Sequence, residues 1–288
     1  MNILILDGYN LMYRARYSGM NKGDYSTVFN FFRGLRPLIE KTSADRVFFV
    51  LEGVPKKRLE LSPDYKGQRK YNNDDNFYEQ KKLIISILEK YFPITIAKHE
   101  DYECDDIIGY LANKFNDEGS KVTIISSDTD FIQCIKENIS LYNPVRKKYI
   151  ESSEYNYVLW KSLKGDDSDN IAGFVGIGDK KAQKLCYDKE LLEKFLLKEG
   201  YREKLNKNIQ MITLHDIKDD AKDIIYYNTI EKENWVELKK VFKDYDFNSI
   251  ISKEKSWNKY KETFNNLWEN INVYWKSFRK QYVNWVKK

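Results

Sequence analysis

Short, unbroken apolar runs alternate, along the first half of the chain, with stretches in which apolar residues recur every three or four positions. Asn2–Leu6 is one such run, Arg46–Leu51 a second and Lys121–Ser126 a third. Runs without polar alternation fit strands buried on both faces. Between them, Tyr25–Ile39 places Val28, Phe29, Phe32, Leu35 and Ile39 on one side of a helix. Phe77–Tyr91 is a helix pattern closed by Pro93, Pro93–Ala97 a short strand candidate, and Asp101–Phe115 helical. This alternation predicts an α/β fold with a mostly parallel central sheet flanked by helices. Such sheets bind ligands beyond the carboxyl ends of their strands. Each of the three long runs ends there on an acid: Asp7, Glu52, and the pair Asp128 and Asp130.

Beyond about residue 150 the pattern turns helical. Gly173–Leu185 (G-F-V-G-I-G-D-K-K-A-Q-K-L) reads as a glycine-punctuated turn between helices. Near the end, Trp257, Tyr260, Phe264, Trp268, Ile271, Trp275, Phe278, Tyr282 and Trp285 recur at three- and four-residue steps, one face of a long helix. Packing of that face against the body is the plain expectation; docking of a partner protein is the alternative. No repeat or low-complexity linker separates the two parts, which are expected to pack as one body.

Composition removes several classes of function. Of 288 residues, 42% are hydrophobic, enough for a sizeable core. Cys104, Cys134 and Cys186 are scattered and odd in number, which fits a reduced, cytoplasmic setting (host cytoplasm for a phage-encoded chain) rather than a disulfide framework. Met1 opens directly on a strand-like run that carries Asp7, unlike a signal peptide, and no run is long enough to span a bilayer. A monomer without membrane contact is expected. The net charge of +5 matters only if the positive residues cluster. His99 and His215 are the only histidines, so acid–base or metal chemistry must lean on carboxylates.

The carboxylates converge. Besides Asp7, Glu52, Asp128 and Asp130 there are Glu103, Asp105 and Asp106, which open a helix, and Asp166 and Asp169 in G-D-D-S-D-N. Glu103 with Asp106, and Asp166 with Asp169, share a face by i, i+3 spacing. Asp105 joins them only if the helix begins there. Converging carboxylates repel by about 4 kcal/mol per close pair at an effective dielectric of 20, so protons or cations must neutralise them. Oxygen donors without His or Cys suit Mg²⁺ or Mn²⁺, and two such ions can activate water and stabilise the leaving oxygen of a phosphodiester. Any single acid is more simply a cap or turn residue, Asp106, Asp167 and Asp179 above all. The three strand ends together are harder to dismiss.

Five motifs in order then carry a resemblance: L-D-G-Y-N-L-M-Y-R-A at Leu6–Ala15, R-L-E-L-S-P-D-Y-K-G-Q-R at Arg58–Arg69, Y-E-C-D-D-I-I-G-Y-L-A, I-I-S-S-D-T-D-F-I-Q, and K-G-D-D-S-D-N-I-A-G-F-V-G-I-G-D-K-K-A. From about residue 2 to 215 the chain resembles the 5′-nuclease family: the phage-type 5′→3′ exonuclease/flap endonucleases and the 5′-nuclease domain of bacterial DNA polymerase I. The resemblance implies a PIN-like nuclease core over 1–150 with a helical arch at about 55–80. A helical DNA-binding part would follow over 151–288, its helix–three-turn–helix at about 166–186.

It implies two divalent ions, Mg²⁺ with Mn²⁺ as substitute. Glu103, Asp105, Asp106, Asp128 and Asp130 match the first cluster, Asp166 and Asp169 the second, and Asp7 lies between. Asp7, Asp128 and Asp130 thus join Lys66 and Arg69 as catalytic candidates. Lys66 and Arg69 would contact the scissile phosphate, Tyr65 would stack on a base, and Arg14 matches a basic position near the site. The Gly173–Gly178 turn is also a candidate site for a monovalent cation. The family usually has Asp where Glu52 stands, on a stretch one residue longer, and a small alanine at Cys104.

Read without the resemblance, Lys56, Lys57, Arg58, Lys66, Arg69 and Lys70 form a basic stretch with Tyr65 and Tyr71 interleaved, a composition suited to single strands. A solvated loop is its plain alternative. Gly176 and Gly178 let backbone amides approach a phosphate, and Lys180 and Lys181 add charge, a grip that reads no sequence. The expected activity is structure-selective 5′ hydrolysis of DNA ends, flaps or junctions in replication or repair. A replicative polymerase or single-strand binding protein is a candidate partner. A junction-binding protein that has lost catalysis, and a ribonuclease on the same core acting on RNA–DNA hybrids, are the competing readings.

Overall fold

The computed structural model describes residues 1–19, 23–69, 74–227 and 233–268. Its strands are β1 (Asn2–Asp7), β2 (Arg46–Val50), β3 (Thr95–Lys98), β4 (Lys121–Ile125), β5 (Ile139–Asn143), β6 (Lys148–Ile150), β7 (Gly165–Asp166), β8 (Ile171–Ala172) and β9 (Ile225–Tyr227). Its helices are α1 (Gly8–Arg16), α2 (Ser26–Thr42), α3 (Lys56–Leu61), α4 (Asp75–Tyr91), α5 (Cys104–Asp117), α6 (Tyr157–Lys164), α7 (Asp179–Tyr187), α8 (Lys189–Leu196), α9 (Tyr201–Ile212), α10 (Trp235–Asp244) and α11 (Asn248–Ile251).

Seven strands form one sheet in the order β6-β5-β4-β1-β2-β3-β9, and β7-β8 form a separate small ribbon. The inner pairs are parallel, with Asp7 opposite Val50 and Leu6 opposite Ile125. The edge strands β6 and β9 run antiparallel. Alternation along β1 explains the two layers. Leu4 and Leu6 join Phe32, Leu88 and Phe242 on one face, while Ile3 and Ile5 meet Ile107, Leu111 and Phe115 of α5 on the other. Both faces are covered, so the strands carry no polar alternation.

The helices α6–α9 have their own apolar core of Leu163, Phe174, Ala182, Leu185, Leu196 and Leu205. The expected division at residue 150 needs a correction. After α9 the chain returns to the α/β core: β9 pairs with β3, and Leu238, Phe242, Trp257, Tyr260 and Phe264 pack on the α2 face. The described part of the aromatic stripe is therefore core, with Phe92 and Phe264 rings 4.7 Å apart. Ile271, Trp275, Phe278, Tyr282 and Trp285 lie outside the described residues, as do Lys70 and Tyr71. No described helix is long and apolar enough to cross a membrane.

Candidate metal centre and nucleic-acid interface

Asp7, Glu52, Asp128 and Asp130 all fall at or just past the carboxyl edge of the sheet, as their strands dictate. Asp7 caps α1, its Oδ1 accepting from the Asn10 amide (3.0 Å) and its Oδ2 from the Ser126 hydroxyl (2.7 Å). Burial pushes its carboxyl up to about 7 despite those bonds, with Asp128 and Glu52 adding to the rise. Glu52 is also raised, chiefly by burial, and accepts from the Cys104 amide at 3.4 Å. Asp105 is raised by burial and then by Asp7, Asp128, Glu52 and Glu103. It reaches this group because α5 starts at Cys104, with Glu103 as its N-cap, so Asp105 lies in the first turn.

A second group lies beside a cleft of about 390 Å³ lined by Asp105, Asp128, Asp130, Asp166 and Asp169 opposite Lys66, Arg69 and Lys161. Carboxylate oxygens of Asp130, Asp166 and Asp169 come within 4.8 Å of one another, a spacing that fits one hard cation. Cations of the protein already face them. Lys161 pairs with Asp130 and, at 2.6 Å, with Asp166. Arg69 pairs with Asp169 at 2.6 Å, and Lys66 lies 3.9 Å from Asp169 and binds Glu103. Burial tends to raise Asp166, but Lys161 and Ser168 outweigh it and hold the carboxyl below its ordinary range.

Lys161 was not singled out from the sequence, though it stands one helical turn before G-D-D-S-D-N. Tyr157, which bonds Asp130 at 3.3 Å, shares that helix face and was missed as well. A larger cavity of about 610 Å³ beside the C-terminal half of α5 and residues Leu214–Asp216 is lined by Asp117, Glu118, Lys114 and Lys218, and none of the strand-end acids reaches it.

Three expectations change. Tyr65 is 5% exposed, and its hydroxyl donates to Glu103 and Asp169 at 3.0 Å each. A base cannot stack on a ring so covered, and the ring serves instead as a strut between the two acid groups. Asp106 is fully buried and bonded twice by Arg58 (2.7 and 2.8 Å) and once by the His215 amide (2.8 Å). It has no free face for a metal. Arg58, read as part of a basic surface, is only 3% exposed. In each case a polar residue in a charged stretch found buried partners that local sequence does not reveal.

The segment expected to lead the arch lies against the second acid group. The Lys66 amide donates to the Asp169 carbonyl (3.1 Å), and Asn170 donates to the Asp64 carbonyl (2.8 Å). Lys66 adopts φ 56°, a left-handed turn that directs the chain there. At α1 and α4, Tyr13, Tyr17 and Tyr78 are exposed, and the Lys81 ammonium sits within 6.0 Å of the Tyr9, Tyr13, Phe77 and Tyr78 ring centres. Arg14 is half-buried and, among the described residues, has no carboxylate partner. In the glycine-punctuated turn, Gly176 takes φ +74°, and its carbonyl, an oxygen a monovalent cation would use, accepts from Lys181 (2.9 Å). Gly178 and Lys180 are exposed at the start of α7. The tightest packing falls elsewhere, at Gly173, where a Cβ would meet the Lys164 carbonyl at 1.8 Å.

A family model described as the 5′-3′ exonuclease N-terminal resolvase-like domain matches residues 2–161. The chain belongs to the 5′-3′ exonuclease family. It is 33% identical over 197 residues to the 5′-3′ exonuclease of Aquifex aeolicus, covering 62% of this chain and 67% of that one. It is 30% identical over 204 residues to that of Mycoplasmopsis pulmonis, covering 66% and 68%. DNA polymerase I of Caldicellulosiruptor bescii is 31% identical over 242 residues, 74% of this chain but only 28% of the polymerase. The fold is that of the bacteriophage T5 enzyme. The T5 5′-exonuclease with bound divalent metal ions (zinc) superposes with a TM-score of 0.61 at 22% identity, covering 74% of this chain and 90% of that one. The T5 flap endonuclease in a pseudo-enzyme–product complex with DNA and metal ions gives 0.62 at 19% identity, covering 93% and 99%.

Proposed function

We propose that the chain is a structure-selective, sequence-independent 5′ nuclease, a 5′→3′ exonuclease and flap endonuclease of replication or repair. The observation that carries this reading is the cleft where Asp128 and Asp130 past the end of β4, Asp105 in the first turn of α5 and the Asp166–Asp169 loop stand opposite Lys66, Arg69 and Lys161. Divalent ions, Mg²⁺ first, would be held by Asp7, Glu52, Glu103, Asp105 and Asp128 on one side and by Asp130, Asp166 and Asp169 on the other. Bound there, they supply a water nucleophile at neutral pH and stabilise the leaving oxygen. Lys66 and Arg69 orient the scissile phosphate and stabilise the charge that develops on it.

The exposed tyrosines around Lys81, together with Arg14, suit a single strand passing the site, since bases stack on rings while phosphates take cations. Gly176, Gly178, Lys180 and Lys181 would hold duplex phosphates without reading sequence. The test is cleavage of end-labelled flap, nicked and blunt duplexes with Mg²⁺, products mapped by length. Metal-dependent cuts near the 5′ junction are expected. Tight flap binding with no cleavage at any metal concentration would instead support a junction-binding protein, and cutting confined to RNA–DNA hybrids a ribonuclease.

A further inference from the structure

Arg58 spends all five of its N–H donors inside the protein. Nε donates to the Met211 carbonyl (2.9 Å), Nη1 to Glu103 and Asp106 (2.7 Å each), and Nη2 to Asp106 (2.8 Å) and the Thr213 carbonyl (3.2 Å). The side chain thus joins α3, the first turn of α5 and the end of α9. Asp106 in turn accepts from the His215 amide, just past α9. Glu103, whose side chain is 3% exposed, is gripped by Arg58 and Tyr65 through Oε2 and by Lys66 through Oε1.

We infer that the Arg58–Asp106 pair is a positioning device: it fixes the Glu103 carboxylate in the rotamer that Tyr65 and Lys66 also bind and registers it to the helical part, so that Glu103 would be set to help hold a metal ion, with Asp106 acting through Arg58 rather than as a ligand. The inference rests on the metal reading of the acid cluster. Arginine suits this task because its planar fork holds a carboxylate in two places at once, which a lysine cannot do. Partners behind a ligand hold its orientation, and losing them typically weakens metal affinity 10–100-fold. A buried pair of this kind is weak evidence for stability, since apolar replacements of similar volume often fold as well. A burial this costly therefore calls for a reason other than stability.

The charge-neutral double variant Arg58→Met/Asp106→Leu separates orientation from electrostatics, because the net charge beside the metal ligands does not change. Mn²⁺ binding is titrated calorimetrically on the full chain, with folding followed by circular dichroism and flap binding measured in EDTA. Wild type should bind Mn²⁺, and the double variant should bind it about 10–100-fold more weakly at unchanged stoichiometry. Flap affinity should stay within about threefold.

Arg58→Lys, which keeps the charge and a smaller volume, guards against a double variant that fails to fold. It should weaken Mn²⁺ by about tenfold. Wild-type affinity in a folded variant would reduce the pair to plain structure. Loss of one Mn²⁺ equivalent would make Asp106 a ligand, and a parallel loss of flap binding would tie the pair to DNA grip; either result overturns the inference. Absence of Mn²⁺ binding by wild type would overturn the metal reading itself.

Discussion

The two acid groups of this site are neutralised in opposite ways. Asp7, Glu52 and Asp105 sit at the sheet edge with mainly amide, hydroxyl and thiol neighbours, and burial and mutual repulsion raise all three. Asp130, Asp166 and Asp169 are crossed by Lys161, Lys66 and Arg69; Asp166 is held low, although burial still raises Asp130 with Lys161 beside it. The first group is therefore a destabilised arrangement that favours added cations, and the second a self-compensated one in which an incoming ion must displace or rearrange lysine. Asp7, Glu52 and Asp105 are crowded together where two strand ends meet the start of α5, whereas Asp130 and the Asp166–Asp169 loop face α6, whose Lys161 supplies the counter-charge.

Removing one acid from each group should break this symmetry most strongly. Asp105→Asn should lower single-turnover flap cleavage by about 10³-fold or more, an effect of roughly 4 kcal/mol. It should also raise the melting temperature of metal-free protein, because it relieves repulsion among buried carboxylates. Asp166→Asn should cut cleavage comparably but lower that temperature, because Lys161 loses one of its two carboxylate partners. Calorimetry on both variants in EDTA decides the matter. Equal shifts of the same sign would remove the distinction between the groups.

The comparison also shows what a sequence exposes. β1, β2 and β4 were legible because both sheet faces are covered, and their acid ends followed from strand direction alone. The inward turn of Tyr65, the burial of Arg58 and the counter-ion role of Lys161 were not legible. Each depends on at least one partner 31 or more positions away, and a basic residue about to be buried looks the same in sequence as one left in solvent. The return of the chain through β9 was hidden for a related reason. Ile225–Tyr227 is a three-residue edge strand with too short a pattern to read, whereas the stripe of Trp257, Tyr260 and Phe264 that packs behind it was visible.

The opposite pKa directions of Asp7 and Asp166 give a second, smaller test. Asp7 titrates near 7 in the folded protein, above its ordinary 3.8. Between those values the folded chain holds a proton that the unfolded chain has released, so stability falls as pH rises through that window. Glu52, Asp105 and Asp130 add in the same sense. Asp166, held low, contributes stability above its ordinary value that is lost only in acid. Metal-free protein should therefore lose about 2 kcal/mol between pH 5.5 and 7.5, roughly 4 °C in melting temperature. Saturating Mg²⁺ should flatten the profile by occupying the first group in its charged form. A metal-free profile that rises over this range would mean that these carboxyls are not raised.

The smallest expected effect belongs to Glu52. Its Oε2 accepts from the Cys104 amide at 3.4 Å, the far limit of a hydrogen bond. Glu52→Asp withdraws the carboxylate by one C–C bond, about 1.5 Å, and should break that contact. The charge remains among Asp7 and Asp105, so metal attraction is weakened and not abolished. Cleavage at limiting Mg²⁺ should fall about tenfold, close to 1.4 kcal/mol, and recover to within about threefold at saturating Mn²⁺. The Asp166–Lys161 side should be unaffected, and the metal-free melting temperature should change by less than it does in Asp166→Asn. Full activity of Glu52→Asp at limiting Mg²⁺ would place Glu52 outside the metal-holding set, leaving Asp7, Asp105 and Asp128 to form the first group without it.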